Sequence, residues 1–212
     1  MNNLRGAWTT YLDRQHRYPT GLVGQLIGQR MLRQHAPETN WSVDLLGLRP
    51  TDRLLEAGCG AGRGLALALG RLDAGRAIGL DLSPDMLAAA AWRNRAALRS
   101  GRLILLRGDL AGLPFAGPAF DKILSVQTFY FWPDQRRTSA RLAELLAPGG
   151  RLVSTFATTR TLPGGEREVW PIQQAVEELV AGYAGHPTLR ASLEHGPDSR
   201  QFNNVALVIE RR

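Results

Sequence analysis

A glycine-rich turn between two apolar segments limits this chain to a small set of folds. The turn reads EAGCGAG over residues 56–62; it follows the apolar pair Leu54 and Leu55 and precedes a segment rich in Leu and Ala. Glycines between a strand and a helix let a ligand approach the backbone closely, and the start of the helix offers free N–H groups. The pattern therefore predicts a strand, a cofactor-binding loop and a helix of an α/β fold.

The spacing of the glycines indicates which cofactor the loop binds. The dinucleotide fingerprint needs a glycine three places after Gly60, and that position holds Arg63. Instead, glycines alternate from position 58 to Gly62, and Glu56 precedes them. A carboxylate there is poorly placed to face a pyrophosphate and well placed to pair with a cation. S-adenosylmethionine carries a sulfonium and an ammonium group, and no phosphate, so it fits this loop better. A turn without a ligand, or a dinucleotide site with a degenerate third glycine, remains an alternative.

Four segments together resemble the class I S-adenosylmethionine-dependent methyltransferases. Residues 54–64, LLEAGCGAGRG, resemble motif I of that family, and GLDLS around Asp81 resembles the end of its second strand. GDLAGLPF over residues 108–115 and LAPGG over 146–150 agree in order and spacing. The resemblance rests on specific motifs over roughly residues 41–157. It is strongest to the small-molecule group of methyltransferase type 11 and the ubiquinone- and menaquinone-biosynthesis enzymes.

The resemblance implies roles for the residues of these motifs. Asp81 would accept from both ribose hydroxyls, and Asp109 from the adenine amino group. Met86 would lie over adenine, with core packing as an equal alternative, and Gln127 would meet the methionine end. The residues expected to bind S-adenosylmethionine, and its product S-adenosylhomocysteine, are Glu56, Gly58, Cys59, Gly60, Gly62, Asp81, Leu82, Met86, Asp109, Leu110 and Gln127.

The acceptor side of the site is less defined by the sequence. In the resembling family, N-terminal helices cover the cofactor, and the segment after the fourth strand lines the acceptor pocket. The pocket candidates are Tyr11, His16, Tyr18, Gln25, Tyr130 and Trp132. Phe129 and Phe131 are expected in the core. A hydroxyl or acidic-carbon acceptor would benefit from a general base, for which His16, His35 and Tyr130 are options. No catalytic residue is assigned.

The resemblance implies a Rossmann-like, seven-stranded, mostly parallel sheet with helices on both faces and a C-terminal antiparallel hairpin, and the strands predicted from periodicity and turn residues fit it. Residues 1–40 are expected to form a helical lid segment, and residues 41–212 the S-adenosylmethionine-binding domain of a single-domain protein. The predicted strands are Arg53–Ala57, Ala77–Leu80, Arg102–Leu106, Phe120–Val126, a fifth strand after Gly150, Thr188–Glu194 and Val205–Glu210. Near the C-terminus, Thr158–Gly165 reads as a loop and Glu166–Tyr183 as a helix.

Composition and missing motifs narrow the partners. The formal net charge is +7, but the arginines are scattered and form no long basic run. The (D/N/S)-P-P-(Y/F) turn of amino-methylating nucleic-acid enzymes is absent from SVQTFYF, and the position of Cys59, the only cysteine, excludes a cytosine C5 enzyme. No metal site, membrane insertion or nucleic-acid partner is expected. The sequence thus predicts a cytoplasmic methyltransferase for a small-molecule acceptor, with an RNA methyltransferase or a non-catalytic cofactor-binding protein as alternatives.

Overall fold

The computed structural model describes residues 35–113, 115–132, 134–162, 164–198 and 202–212. The strands are β1 (Arg53–Ala57), β2 (Arg76–Asp81), β3 (Leu103–Arg107), β4 (Phe120–Val126), β5 (Leu146–Thr161), β6 (Arg167–Val169), β7 (Leu189–His195) and β8 (Phe202–Arg211). The α-helices are α1 (Ala36–Leu45), α2 (Arg63–Leu69), α3 (Pro84–Arg93), α4 (Arg95–Arg99), α5 (Gln135–Glu144) and α6 (Ile172–Ala181). Short 3₁₀ turns cover Leu110–Gly112 and Phe129–Phe131.

One mixed sheet organises these elements. Its strand order is β3-β2-β1-β4-β5-β8-β7, and β6 pairs with the end of β5. The strands from β3 to β5 are parallel, whereas β8 runs antiparallel to both β5 and β7. The predicted fold class is confirmed, with β6 as a strand beyond the seven expected. The strand order reverses between β1 and β4, the point at which open α/β sheets bind ligands.

Two apolar layers hold the helices against the sheet, because neighbouring residues of a strand face opposite sides. Leu55 of β1 packs in the layer that includes residues of α5 and α6, and Leu54 packs in the layer that includes residues of α1 and α2. Both leucines are fully buried. Burial on both faces explains the continuous apolar runs of the parallel strands. It also fixes the strand ends from which the loops of the site emerge.

Side-chain caps mark the starts of two helices. Ser83 is the N-cap of α3, since its side chain accepts from the Met86 N–H. Asp134 caps α5 by accepting from the Arg137 N–H, so this helix begins at Gln135. Such caps satisfy N–H groups that have no partner inside the helix.

The region after residue 157 was partly mispredicted. Residues 158–161 continue β5 instead of forming a loop, because they pair with β8 and with β6. The threonines in this stretch favour extended backbone. The helix predicted from Glu166 begins only at Ile172, after β6 and with Pro171 at its N-cap.

The described residues begin at His35, so most of the predicted lid segment lies outside them. The same holds for four pocket candidates, Tyr11, His16, Tyr18 and Gln25. The helix α1 starts at Ala36 and ends in the region that leads to β1. None of the described helices has the length and apolar content that a bilayer-spanning segment requires.

Candidate functional site

The glycine loop is tied to the end of the neighbouring strand by backbone hydrogen bonds. The N–H groups of Gly58 and Cys59 both donate to the carbonyl oxygen of Leu80, at 2.8 and 2.9 Å. The Gly62 N–H donates to the Cys59 carbonyl at 2.9 Å, which closes the turn. The loop therefore lies directly beside the carboxyl end of β2.

The carboxylate of Asp81 joins the loop to the start of α3. Its Oδ2 accepts from the Gly60 N–H at 2.8 Å, and its Oδ1 accepts from the Ser83 N–H at 2.9 Å. Burial raises the pKa of Asp81, and these backbone donors counteract part of the increase. Asp81 thus orders the loop as well as facing the cleft beside it.

Three glycines of the loop have positive φ, and two of them also have no room for a side chain. A Cβ at Gly58 would come within 2.4 Å of Thr128 Cγ2, and one at Gly62 within 2.5 Å of Asn94 Nδ2. A Cβ at Gly60 would meet nothing within 4 Å. Gly58 and Gly62 are therefore required by packing. Gly60 leaves open space above the loop, where a ligand could approach the backbone.

Replacing Gly62 with Ala is expected to destabilise the fold more than replacing Gly101 with Ala. Both glycines have similar positive φ, +75° and +71°, but only Gly62 is packed against other atoms. The variants share the backbone strain, so the added overpacking at Gly62 should cost about 1–3 kcal/mol more. Urea denaturation of both variants measures the difference. Equal losses would contradict the tight contact between the loop and α3.

Glu56 is buried beneath the loop, not exposed in the cleft. It is 3% exposed, and its Oε1 would lie only 2.2 Å from a Cβ at Gly64. Burial raises its pKa to about 8; a hydrogen bond from the Leu65 backbone opposes this effect, and the charge of Asp81 adds to it. Its Oε2 is buried and has no hydrogen-bond partner. A carboxyl group in this state is stabilised as an anion only when a cation lies nearby.

Cys59 contributes its backbone to the loop and its side chain to the core. Its Sγ lies in the apolar layer with Leu65, and the side chain is almost fully buried. Burial raises its thiol pKa, and the charges of Glu56 and Asp81 raise it further. No salt bridge among the described residues includes Glu56 or Asp81. The loop region therefore holds two acidic groups that have no cationic partner among the described residues.

A cleft of about 90 Å³ opens beside the loop. Five predicted cofactor residues line it, together with one predicted pocket residue and four that sequence reasoning had not assigned to the site. The lining residues are Gly58, Leu80, Asp81, Leu82, Gly108, Asp109, Leu110, Thr128, Phe131 and Trp132. The motifs around Asp81 and Asp109 therefore meet at one place.

The other predicted cofactor residues do not line this cleft. Glu56 and Cys59 are buried under the loop, and Gly62 packs against α3. Gly60 faces the open space above the loop. Met86 is buried, 4% exposed, within the first turn of α3.

The aromatic segment after β4 divides between core and cleft. Phe129 is fully buried and stacks on Phe156 at 4.4 Å between ring centroids, as expected for the core. Phe131 lines the cleft, contrary to the expectation of core packing. Trp132 lines it too, and its buried Nε1–H has no hydrogen-bond partner. This indole is a donor that a polar ligand could satisfy.

The side chains of Gln127 and Tyr130 hydrogen-bond to each other at the switch point, where the strand order reverses between β1 and β4. Gln127 has φ +57°, a strained conformation for a residue with a side chain. Its Nε2 donates to Asn204 Oδ1 at 3.2 Å, and its Oε1 accepts from the Tyr130 hydroxyl at 3.1 Å. The Tyr130 hydroxyl also bonds to the backbone of Ala157. Both side chains are engaged within the protein, and burial raises the pKa of Tyr130, which makes it a poor general base.

Comparison with known proteins finds that the chain is similar to methyltransferases. A family model described as "Methyltransferase domain" matches residues 54–150. The chain is 28% identical over 131 residues to the uncharacterized methyltransferase YdaC of Bacillus subtilis, covering 62% of this chain and 70% of that protein. It is 35% identical over 162 residues to nocamycin O-methyltransferase of Saccharothrix syringae, covering 73% of this chain and 56% of that protein.

A similar structure is geranyl diphosphate C-methyltransferase from Streptomyces coelicolor A3(2), solved with Mg²⁺, geranyl diphosphate and S-adenosyl-L-homocysteine. The TM-score is 0.65 at 18% identity, over 84% of this chain and 77% of that one. This likeness concerns the fold. The chain spans about half the length of most curated relatives that it matches.

Proposed function

We propose, from the premise that this chain belongs to the class I S-adenosylmethionine-dependent methyltransferases, that it methylates a small-molecule acceptor. S-adenosylmethionine supplies an electrophilic methyl group on a positively charged sulfur. The residues of this chain bind and orient the two reactants in a site with little water, which lowers the barrier by positioning.

The two acidic groups around the glycine loop carry this proposal. The charge of Asp81 raises the pKa of the buried Glu56, and the charges of both groups raise the pKa of the Cys59 thiol. A cationic ligand would reduce the cost of ionising these groups, whereas the pyrophosphate of a dinucleotide would increase it. The loop charge therefore favours S-adenosylmethionine over NAD.

The cleft residues suit an adenosine group. Asp81 ends β2 with a carboxylate that can accept from vicinal hydroxyls, and Asp109 lies across the cleft beside Leu110. Phe131 and Trp132 offer apolar faces for a ring, and the Trp132 Nε1–H is a free donor. Open space over Gly60 gives the ligand access to the loop backbone.

A small-molecule acceptor suits the surface charge better than a nucleic acid. Arg53, Arg71, Arg141 and Arg151 each form an ion pair with a carboxylate of the protein. Their charge is therefore partly neutralised within the fold and is less available to phosphates. An RNA methyltransferase would bind its substrate with an affinity that falls steeply with salt, and that dependence would contradict this assignment.

Calorimetric titration with S-adenosylmethionine, S-adenosylhomocysteine and NAD tests the proposal. The first two are expected to bind with dissociation constants of about 1–100 μM, and NAD is not expected to bind. Binding of NAD alone would replace the proposal with a hydride-transfer function.

Gly60→Ala is expected to weaken binding of S-adenosylhomocysteine by at least about tenfold, because its Cβ would occupy the open space above the loop. Gly101→Ala is the matched control, since a Cβ there also meets nothing and its φ is also positive. The control should show a similar small loss of stability with unchanged binding. Equal affinity of both variants would place the ligand elsewhere.

A further inference from the structure

The helix α1 carries polar side chains past the carboxyl ends of the central strands. Near the C-terminus of α1, the carbonyl oxygen of Leu45 accepts a hydrogen bond from the Arg151 side chain. Arg151 begins the continuous stretch over which β5 pairs in parallel with β4. About one turn earlier in α1, Ser42 Oγ donates to Thr155 Oγ1 at 2.7 Å. The helix therefore runs antiparallel to β5. Because Thr155 pairs with the last residue of β4, residues before Ser42 lie beyond that strand's end.

At this end, Glu38 is completely buried. Its exposed fraction is 0%, its Oε1 lies 2.5 Å from His35 Nδ1, and its Oε2 has no hydrogen-bond partner. Burying a carboxylate costs free energy unless hydrogen bonds or a cation compensate for the lost hydration. The burial of Glu38 therefore points to a role for its side chain. An ordinary surface helix would expose Glu38 to water.

Glu38 lies one turn before Ser42, whose Oγ bonds to both the Glu38 carbonyl oxygen and Thr155 Oγ1. Two residues after Thr155, the Ala157 backbone bonds to the Tyr130 hydroxyl, which also bonds to Gln127. Tyr130 cannot accept a proton readily, because its hydroxyl is occupied and its pKa is raised. His35, in contrast, is 20% exposed, and only its Nδ1 is engaged with Glu38.

This arrangement leaves the second ring nitrogen of His35 available. If Nδ1 carries the proton toward the carboxylate, Nε2 has a lone pair and can accept a proton. The buried carboxylate would orient the ring and stabilise the imidazolium that forms. His35 is the N-cap of α1 and Glu38 lies three residues later in the first turn, so their side chains meet at the start of the helix.

We propose that His35 is the general base for a hydroxyl-bearing acceptor and that Glu38 positions it, an inference that rests on the function proposed above. The acceptor oxygen forms a bond to the methyl carbon as the carbon–sulfur bond breaks and its electron pair returns to sulfur. The acceptor proton passes to Nε2 of His35. The sulfonium charge is thereby replaced by an imidazolium charge beside Glu38, so atoms and charge balance. The substrate class is a small molecule with a phenolic or similarly weakly acidic hydroxyl.

The test measures methyl transfer from radiolabelled S-adenosylmethionine to phenol, 4-chlorophenol and 4-nitrophenol, with an alkyl amine and a thiol as other acceptors. Wild type is compared with His35→Gln and Glu38→Gln. His195→Gln, in an exposed side chain of β7, is the matched control. Affinity for S-adenosylhomocysteine is measured for every variant, so that a folded cofactor site is established independently of activity.

The expected result is transfer to the phenols, with kcat on phenol lowered by about 100-fold or more in His35→Gln and Glu38→Gln. The loss should shrink for 4-nitrophenol, which ionises without help. Affinity for S-adenosylhomocysteine should stay within about twofold of wild type. A purely structural role would not produce a loss that depends on the acidity of the acceptor.

Other results would overturn the inference. These are unchanged rates in both variants, an equal loss for all three phenols, or transfer only to the amine or thiol. Weaker S-adenosylhomocysteine binding in Glu38→Gln would make Glu38 a cofactor residue instead. A wild type that binds S-adenosylhomocysteine but methylates no hydroxyl of the panel would remove the substrate class. A wild type that binds neither cofactor form would instead overturn the proposed function.

Discussion

Replacing Glu56 with Gln is expected to remove a large pH dependence from the stability of the fold. The pKa of Glu56 rises from an ordinary value of 4.5 to about 8 in the folded protein, because the group is buried. Between these values the folded state keeps a proton that the unfolded state has lost. Stability of wild type therefore falls as pH rises through this window, and it falls no further above about pH 8.

The size of this effect follows from the shift in pKa. Each unit corresponds to about 1.4 kcal/mol, so the stability of Glu56→Gln relative to wild type should rise by about 3–5 kcal/mol between about pH 4.5 and pH 8. Urea denaturation at both ends of the window measures the difference. Glu144→Gln is the control, since Glu144 is an exposed partner of Arg141.

A constant difference between Glu56→Gln and wild type across the window would mean that the carboxyl is already ionised in the fold. That result would also weaken the argument for a cationic cofactor, because an ionised Glu56 would need a cation in the protein itself. A stabilised variant that binds S-adenosylhomocysteine poorly would show that the buried acid is retained for binding at a cost in stability.

The sequence predicted those parts of the fold that depend on local patterns. The bounds of β1 and β4 agree with the structure at both ends, because buried apolar residues mark the centre of each strand. The glycine loop between β1 and α2 was predicted from an equally local pattern. By contrast, the extension of β5 to Thr161 depends on pairing with β8 and β6, which lie far along the chain.

The candidate site shows the same difference between residues found from local motifs and residues brought in by long-range packing. Asp81 and Asp109 were assigned from motifs, and both line the cleft. Thr128 belongs to none of these motifs and enters the cleft only through the packing of strand ends. Glu38 was missed although its spacing from His35 was visible, because helical spacing alone does not reveal that a carboxylate is buried.

Replacing Asp81 with Asn is expected to weaken binding of S-adenosylhomocysteine by about 1.5–3 kcal/mol, or roughly 10- to 150-fold. The carboxylate accepts from Gly60 N–H through one oxygen and from Ser83 N–H through the other. An amide can replace only one of these acceptors, and it cannot accept from two ribose hydroxyls with the strength of an anion. Calorimetric titration of both proteins measures the loss.

Two causes of that loss can be separated by changing the ligand. If Asp81 binds the ribose, its replacement should matter much less for an S-adenosylhomocysteine analogue that lacks both the 2′- and the 3′-hydroxyl, since both partner groups are already missing. If Asp81 only orders the loop through Gly60 and Ser83, the loss should be the same for both ligands. The double comparison therefore distinguishes direct recognition from loop positioning. Equal affinity of wild type and variant for the intact ligand would exclude both roles.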